Sequence, residues 1–255
     1  MHASACGAPA WRGALRHLGA CAQSWLPARC LVCTEVGAQG LDLCAACHAA
    51  LPVCAGAGRH CLRCALPLPH AGPADAGDAR DMRLCGACLA QPPPLDQVRA
   101  AFLYAAPLDR LLPRYKFHHD LAAGRLLARL MADAFVACEQ PQALLPVPLH
   151  HGRLRRRGYD QALELARPLA AALDLPLRTD LLRRVRATAA QSELDAAARR
   201  RNLHGAFHAP ASAALAHVAL VDDVMTTGAT LHAAAAALRR AGVARVDAWV
   251  CARVL

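Results

Sequence analysis

A chain of 255 residues is longer than one small module needs, and a prior of roughly 100–200 residues per domain implies one full domain with an appendage. Hydrophobic residues make up 56% and aromatics only 4%, so a core is affordable but must be built from Ala, Leu and Val; no stretch reaches the roughly 18 consecutive apolar residues of a spanning helix, and membrane insertion is not expected. The formal charge of +10 favours anionic partners such as phosphates or DNA, yet it is almost all arginine, with Lys116 the only lysine, and such a bias follows base composition as readily as binding.

Taken in chain order, residues 1–25 read as an amino-terminal extension with a helix from Trp11 to Trp25. Arg12 and Arg16 are scattered through it and it lacks the apolar run of roughly 7–15 residues that marks a secretory signal, so the expected compartment is the cytoplasm.

Cysteine usage then divides the chain: eleven of thirteen cysteines fall in residues 1–88. Four CxxC pairs follow one another, Cys30/Cys33, Cys44/Cys47, Cys61/Cys64 and Cys85/Cys88. Two intervening residues let both thiolates of one tight turn reach a single tetrahedral metal, and two such turns complete a four-cysteine structural zinc site. Joining neighbours gives one site from the first two pairs and a second from the last two. Each would be a zinc ribbon stapling a segment too poor in apolar residues to fold alone. A disulfide framework needs an oxidising compartment, and a thioredoxin-like role would not call for four pairs. Cys54 is a spare that could replace one ligand, whereas Cys6, Cys21, Cys138 and Cys251 read as small core or surface residues. The expected double ribbon occupies residues 26–92, closed by the proline run Pro92–Pro94, and the main domain spans 95–255.

Beyond the prolines, strands and helices alternate. Ala101 to Tyr104 predicts a short strand, Leu121 to Val136 an amphipathic helix, and Ala143 to Val147 an apolar run stopped by Pro148. A basic loop and a helix near Gln161 to Leu173 come next, followed by a buried strand at His217–Val221, a helix from Ala229 to Arg240 ended by Gly242, and a last strand at Val246–Val250. Such alternation implies a parallel sheet covered on both faces.

The most informative stretch is HVALVDDVMTTGATLHAAAAALRRAG, in which an apolar strand meets two adjacent carboxylates, then a Thr/Gly turn, then a helix. Backbone amides from Thr226 to Thr230 sit where the helix begins, so they and the helix dipole can cradle a phosphate dianion. Thr226, Thr227 and Thr230 add hydroxyl donors, and Gly228 permits close backbone approach. Val224, Met225 and Ala229 complete the segment. Asp222 and Asp223 occupy the carboxyl end of the strand, where open α/β sheets bind ligands, and a ribose diol with magnesium would satisfy both acids. An ordinary helix cap needs one such residue, not five polar residues and a glycine. Neither a GKS/GKT P-loop nor a GxGxxG fingerprint is present.

VALVDDVMTTGAT resembles the phosphoribosyl pyrophosphate (PRPP) signature of type I phosphoribosyltransferases. From about Trp25 to Leu255 the chain is similar to the ComF family, competence-associated phosphoribosyltransferase-like proteins with an amino-terminal double zinc ribbon. WLPARCLVC, KFHHD at Lys116–Asp120, PVPLHHGRLRRRGYDQALELA from Pro146 to Ala166, and RVRATAAQSELDAAARRRNLHGAF from Arg184 to Phe207 carry the resemblance in order. It implies an α/β fold, a type I phosphoribosyltransferase-like parallel sheet with helices on both faces, preceded by the small ribbon domain. It also implies that Asp222 and Asp223 hold the ribose hydroxyls, that the 226–230 segment holds the 5-phosphate, and that Arg157, Gly158 and Gln161 lie nearest the pyrophosphate. Arg184 to Asn202 resembles the mobile loop that closes over such sites. Tyr159 and Asp160 stand where the family commonly has Phe-Asn.

Arg153, Arg155, Arg156 and Arg157 suit pyrophosphate through their bidentate forks, although a charge cluster is as often a solvated face. Lys116 stands out because arginine is used everywhere else. Asp222, Asp223, Arg157 and Lys116 are therefore the candidate catalytic residues. Two functions compete. One is an enzyme that transfers a pentosyl group from PRPP, with magnesium, to an unidentified nitrogen acceptor in DNA uptake or nucleotide metabolism. The other is a non-catalytic nucleotide sensor that contacts single-stranded DNA or a DNA-uptake protein, against which stands the lack of interleaved aromatics for base stacking.

Overall fold

The computed structural model describes residues 28–54, 60–69, 84–186, 203, 205–210 and 215–255. The helix expected over 11–25 and, apart from its first three residues, the loop expected over 184–202 lie outside the described residues. Two compact units emerge, one ending at Ala50 and one beginning at Leu51.

In the first unit the Cys30–Cys33 turn closes through Thr34 N donating to Cys30 O (2.9 Å) and Cys30 N donating to Glu35 O (2.8 Å). A one-residue antiparallel bridge joins Arg29 to Val36 across it. Helix α1 (Ala45–Ala49) follows, its amino end capped by the Cys44 sulfur, which accepts from Cys47 N at 3.4 Å. Apart from these thiols, Leu41 and Leu43 are the buried apolar side chains of the described part of this unit, too few for a core of their own.

The second unit opens with a second cysteine-rich segment and helix α2 (Gly86–Ala90), then β1 (Gln97–Leu103), α3 (Leu108–His118), α4 (Leu121–Phe135), β2 (Ala143–Pro146), α5 (His151–Arg157), α6 (Gln161–Leu173), β3 (Arg183–Arg184), β4 (Phe207–His208), β5 (His217–Met225), α7 (Ala229–Arg240) and β6 (Arg245–Arg253). The sheet runs β1-β6-β5-β2 and every pair in it is parallel, while β3 and β4 form a small antiparallel pair apart from it. Parallel strands need covered faces, and β5 and β6 are accordingly buried along most of their length.

Alternation along the strands sorts the two faces. Trp249 turns to the side of α4 and meets Phe135 with ring centroids 5.0 Å apart, and α4 packs on α6 there. Val218, Leu220, Ala248 and Val250 turn the other way and share a core with Ala234, Ala235 and Leu238 of α7 and with Cys54, Cys61, Cys64 and Cys88. The cysteine-rich segment also lines the outer edge of β1: Cys54 N donates to Ala101 O (2.9 Å), Leu103 N to Pro52 O (2.8 Å) and Val98 N to Leu62 O (2.7 Å). Its backbone supplies the hydrogen bonds that an edge strand otherwise leaves open.

β1 begins at Gln97, ahead of the expected Ala101, and β5 continues past Val221 through both acids to Met225, because each is hydrogen-bonded on a neighbouring strand over that length. The expected basic loop is the helix α5, started by the His150 ring accepting from Gly152 N (3.2 Å) and stopped by Gly158 in the left-handed region at φ 77°. Helix α3 has no counterpart in the sequence expectations. Pro107 and Pro113 argue against a helix there, yet Leu108, Leu111, Leu112 and Tyr115, spaced at helical intervals, are all buried and their packing prevails. Asp120 joins α3 to α4: one oxygen caps α4 by accepting from Ala123 N (3.0 Å) and the other pairs with Arg114 (2.7 Å).

The two helices touch at Gly124, where an added methyl would lie 2.6 Å from the Tyr115 ring. That ring is buried and cannot swing away without breaking its hydroxyl contact to the Gln161 carbonyl. Gly124→Ala is therefore expected to destabilise the chain by roughly 1–3 kcal/mol, as overpacking does, read as a fall of several degrees in Tm by calorimetry.

Candidate functional site

The two cysteine sets form as the spacing predicted. The sulfurs of Cys30, Cys33, Cys44 and Cys47 all lie within 4.8 Å of one another, and so do those of Cys61, Cys64, Cys85 and Cys88. Four thiolates about 2.3 Å from a central ion make a tetrahedron with edges of roughly 3.8 Å. The Cys33–Cys44 and Cys33–Cys47 separations are 3.6 Å and Cys64–Cys85 is 3.7 Å, close to that edge and far beyond a disulfide bond of about 2.05 Å. The residues therefore fit zinc. Cys54 belongs to neither set; its sulfur faces Ala65 O.

The second candidate site lies at the carboxyl end of β5. Asp222 and Asp223 are adjacent there, with Asp223 N donating to Asp222 Oδ1 (2.9 Å). Thr226 and Thr227 follow as exposed residues, and Gly228, in the left-handed region at φ 76°, is the N-cap of α7. No side chain caps this helix in the manner of an ordinary N-cap, and Thr227 Oγ1 reaches Ala229 N only at 3.5 Å. A methyl on Gly228 would meet Met225 Cε at 2.4 Å and His232 Nε2 at 2.9 Å, and at φ 76° any side chain would be strained, so the tight turn that presents these amides favours glycine.

Lys116, near the end of α3, places its ammonium 3.0 Å from Asp223 Oδ1. Tyr115, Tyr159 and Gln161, the last expected nearest the pyrophosphate, hold it there. The Tyr115 hydroxyl donates to Gln161 O, the Tyr159 hydroxyl to Tyr115 O, and Gln161 Nε2 to Lys116 O at 2.7 Å. Asp160 caps α6 by accepting from Leu163 N (3.2 Å) and with its other oxygen accepts from Leu149 N (3.1 Å), fixing the loop after β2. GYDQ is thus a brace between that loop, α6 and the end of α3. The signal available in the sequence was its position at a helix start, where Asp is an ordinary cap. Arg157 is the last residue of α5, and its side chain, with those of Arg153 and Arg156, lies outside the described residues.

Burial is the chief cause that raises the Asp222 carboxyl, to about 7; the charge of Asp223 adds to it and Lys116 opposes it. Lys116 offsets one of the two carboxylates and burial makes ionising the second costly, an arrangement that a hydroxyl donor or a further cation would relieve.

A double zinc ribbon followed by a phosphoribosyltransferase-type domain is the class that these two sites and the parallel sheet define. The family model for a double zinc ribbon domain matches residues 21–89, and that for a phosphoribosyl transferase domain matches 160–254. Competence protein F of Haemophilus influenzae is 40% identical over 178 residues, covering 66% of this chain and 78% of its own. DNA utilization protein YhgH is 36% identical over 213 residues in Salmonella typhimurium, covering 80% and 89%, and 34% identical over 201 residues in Escherichia coli K12, covering 76% and 84%. The chain belongs to this ComF/YhgH family. No helix among the described residues is long and apolar enough to cross a membrane.

Metal analysis of the purified chain is expected to find two zinc ions, falling to one when Cys33 or Cys88 is replaced by serine. The raised Asp222 carboxyl has a stability signature. Its folded-state value exceeds the ordinary 3.8, so the folded state holds the proton more tightly and stability is lost as pH rises from about 4 toward 7. Asp222→Asn is expected to raise the Tm of the ligand-free chain at pH 8, with the gain shrinking between pH 7 and 4; a gain independent of pH contradicts this assignment.

Proposed function

We propose that the site at the end of β5 binds PRPP or a ribose 5-phosphate nucleotide, and that the chain is a phosphoribosyltransferase of the pentosyl-transferring class. The observation that carries this reading is the uncapped amino end of α7, opened by Gly228 directly after the Asp222–Asp223 pair. A phosphate dianion would accept hydrogen bonds from the amides of the 226–230 segment, aided by the helix dipole. The ribose 2- and 3-hydroxyls would donate to Asp222 and Asp223. Magnesium, arriving with the pyrophosphate, would add the cation the acid pair favours; hard carboxylate oxygens suit it.

In the reaction the nitrogen lone pair of an acceptor forms a bond to C1 of the ribose. The bond from C1 to the pyrophosphate oxygen breaks with its electron pair going to pyrophosphate, and the acceptor's proton passes to solvent. Catalysis would be electrostatic and positional. The acid pair would hold the sugar on which positive charge develops, with Lys116 3.0 Å from Asp223, and Arg157 is assigned to the leaving group on the family resemblance alone. Among the described residues no side chain stands out as a general base, so the acceptor is left to supply its own lone pair.

The names of the curated relatives support a link to competence and DNA utilisation. We place the chain in the cytoplasm, where PRPP and DNA meet. The second reading, a nucleotide sensor that engages single-stranded DNA or a DNA-uptake protein without turnover, is favoured by the net charge of +10.

Incubation with PRPP, magnesium and a panel of bases, followed by pyrophosphate detection, decides between them. Release above the rate without protein is expected for the enzyme; salt-dependent DNA binding with no release selects the sensor. The Asp222→Asn/Asp223→Asn chain should lose at least tenfold in magnesium-dependent PRPP affinity by calorimetry, and an unchanged affinity removes the site.

A further inference from the structure

Arg253, the last residue of β6, is 6% exposed and makes no ion pair with a carboxylate among the described residues. Its guanidinium joins two places far apart in sequence. Nε donates to the carbonyl of Cys64 at 2.7 Å. Nη1 donates to the carbonyls of Met225 at 3.0 Å and Thr226 at 2.5 Å, and touches that of Val254. Met225 is its register partner on β5, so the sheet itself sets this geometry.

Both bonds on the β5 side act on the peptides of the Thr/Gly turn. The only cis peptide among the described residues is Ala106–Pro107, so the Met225–Thr226 and Thr226–Thr227 peptides are trans. In a trans planar peptide the C=O and N–H point in opposite directions. A carbonyl drawn inward to a buried guanidinium therefore directs the N–H of the next residue outward. Drawing in the Met225 and Thr226 carbonyls aims the amides of Thr226 and Thr227 at the space before α7.

The bond on the other side acts on a zinc ligand. Cys64 closes the Cys61–Cys64 turn, in which Ala65 N donates to Cys61 O at 2.8 Å, and its sulfur stands 3.7 Å from that of Cys85. Four thiolates around one divalent ion keep an excess of negative charge, which a nearby buried cation offsets.

We infer that Arg253 is a positioning residue that couples the second cysteine set to the anion-binding turn, so that metal held by Cys61, Cys64, Cys85 and Cys88 tightens binding of the ribose phosphate. The inference rests on the phosphoribosyl reading of the turn. Removing the metal frees the Cys64 carbonyl, loosens the guanidinium and lets the Thr226–Thr227 peptide rotate, while the Met225 carbonyl still accepts from Val254 N at 3.0 Å.

The coupling is tested as a double-mutant cycle on the full chain, with PRPP and magnesium affinity measured by calorimetry. Cys88→Ser is expected to weaken binding by roughly tenfold, within the ordinary range of coupling between sites. Arg253→Gln should weaken it to a similar degree, and adding Cys88→Ser to Arg253→Gln should change it by less than about twofold. Because coupling is reciprocal, saturating PRPP should lower the equilibrium loss of zinc to a competing chelator, raising zinc affinity by a matching factor, read in a Cys33→Ser chain so that metal in the second set is followed alone. This measurement needs no substitution at Arg253 and decides the matter if Arg253→Gln does not fold: zinc loss indifferent to PRPP overturns the coupling. A wild-type chain that binds neither PRPP nor inorganic phosphate overturns the phosphoribosyl reading, and the coupling with it. A chain that binds PRPP with an affinity unmoved by Cys88→Ser and Arg253→Gln overturns the coupling alone.

Discussion

Two carboxylates at the end of a buried strand are the constraint around which the second unit is organised. A strand as apolar as β5 cannot end in adjacent acids without something to offset their desolvation. The chain supplies one ammonium, from Lys116, and brings it there on a helix with one proline as its N-cap and another in its interior. Because α3 is a poor helix by propensity, its end is held from outside, by hydroxyls of Tyr115 and Tyr159 and the amide of Gln161. The brace therefore serves the charge pair, and the pair leaves the turn before α7 free for a ligand.

Much of this was legible from residue order. β2, α4, α6, α7 and the central strands follow the apolar periodicities, and the CxxC spacing foretells both sulfur tetrahedra. Strand ends were harder, because hydrogen bonding to a neighbour, not local pattern, decides that β5 runs through Asp222 and Asp223. Helix α3 escaped because proline signals were in conflict with apolar spacing, and only burial of Leu111, Leu112 and Tyr115 resolves that conflict. Helix α5 escaped because a run of arginines has no apolar stripe to reveal it; its limits come from His150 and Gly158.

The candidate site divides in the same way. Residue types that act on a ligand were visible, since acids, threonines and a glycine at a strand-turn-helix junction have few other uses. Residues that act on other residues were not. Asp160, Tyr159 and Arg253 work through backbone carbonyls and amides, as does Gln161, which was expected beside the pyrophosphate, and nothing in a sequence marks which peptide a side chain will meet. The family resemblance helped with order and spacing, and the contacts explain why Tyr and Asp serve at positions 159 and 160.

The solitary lysine has a practical corollary. An acylating reagent that attacks primary amines meets only Lys116 and the chain's own α-amino group, and the former stands beside Asp223 near the carboxyl end of β5. Covalent tagging followed by peptide mass mapping would thus report on a single address, and shielding of that address would register occupancy without any need to know which acceptor the protein serves.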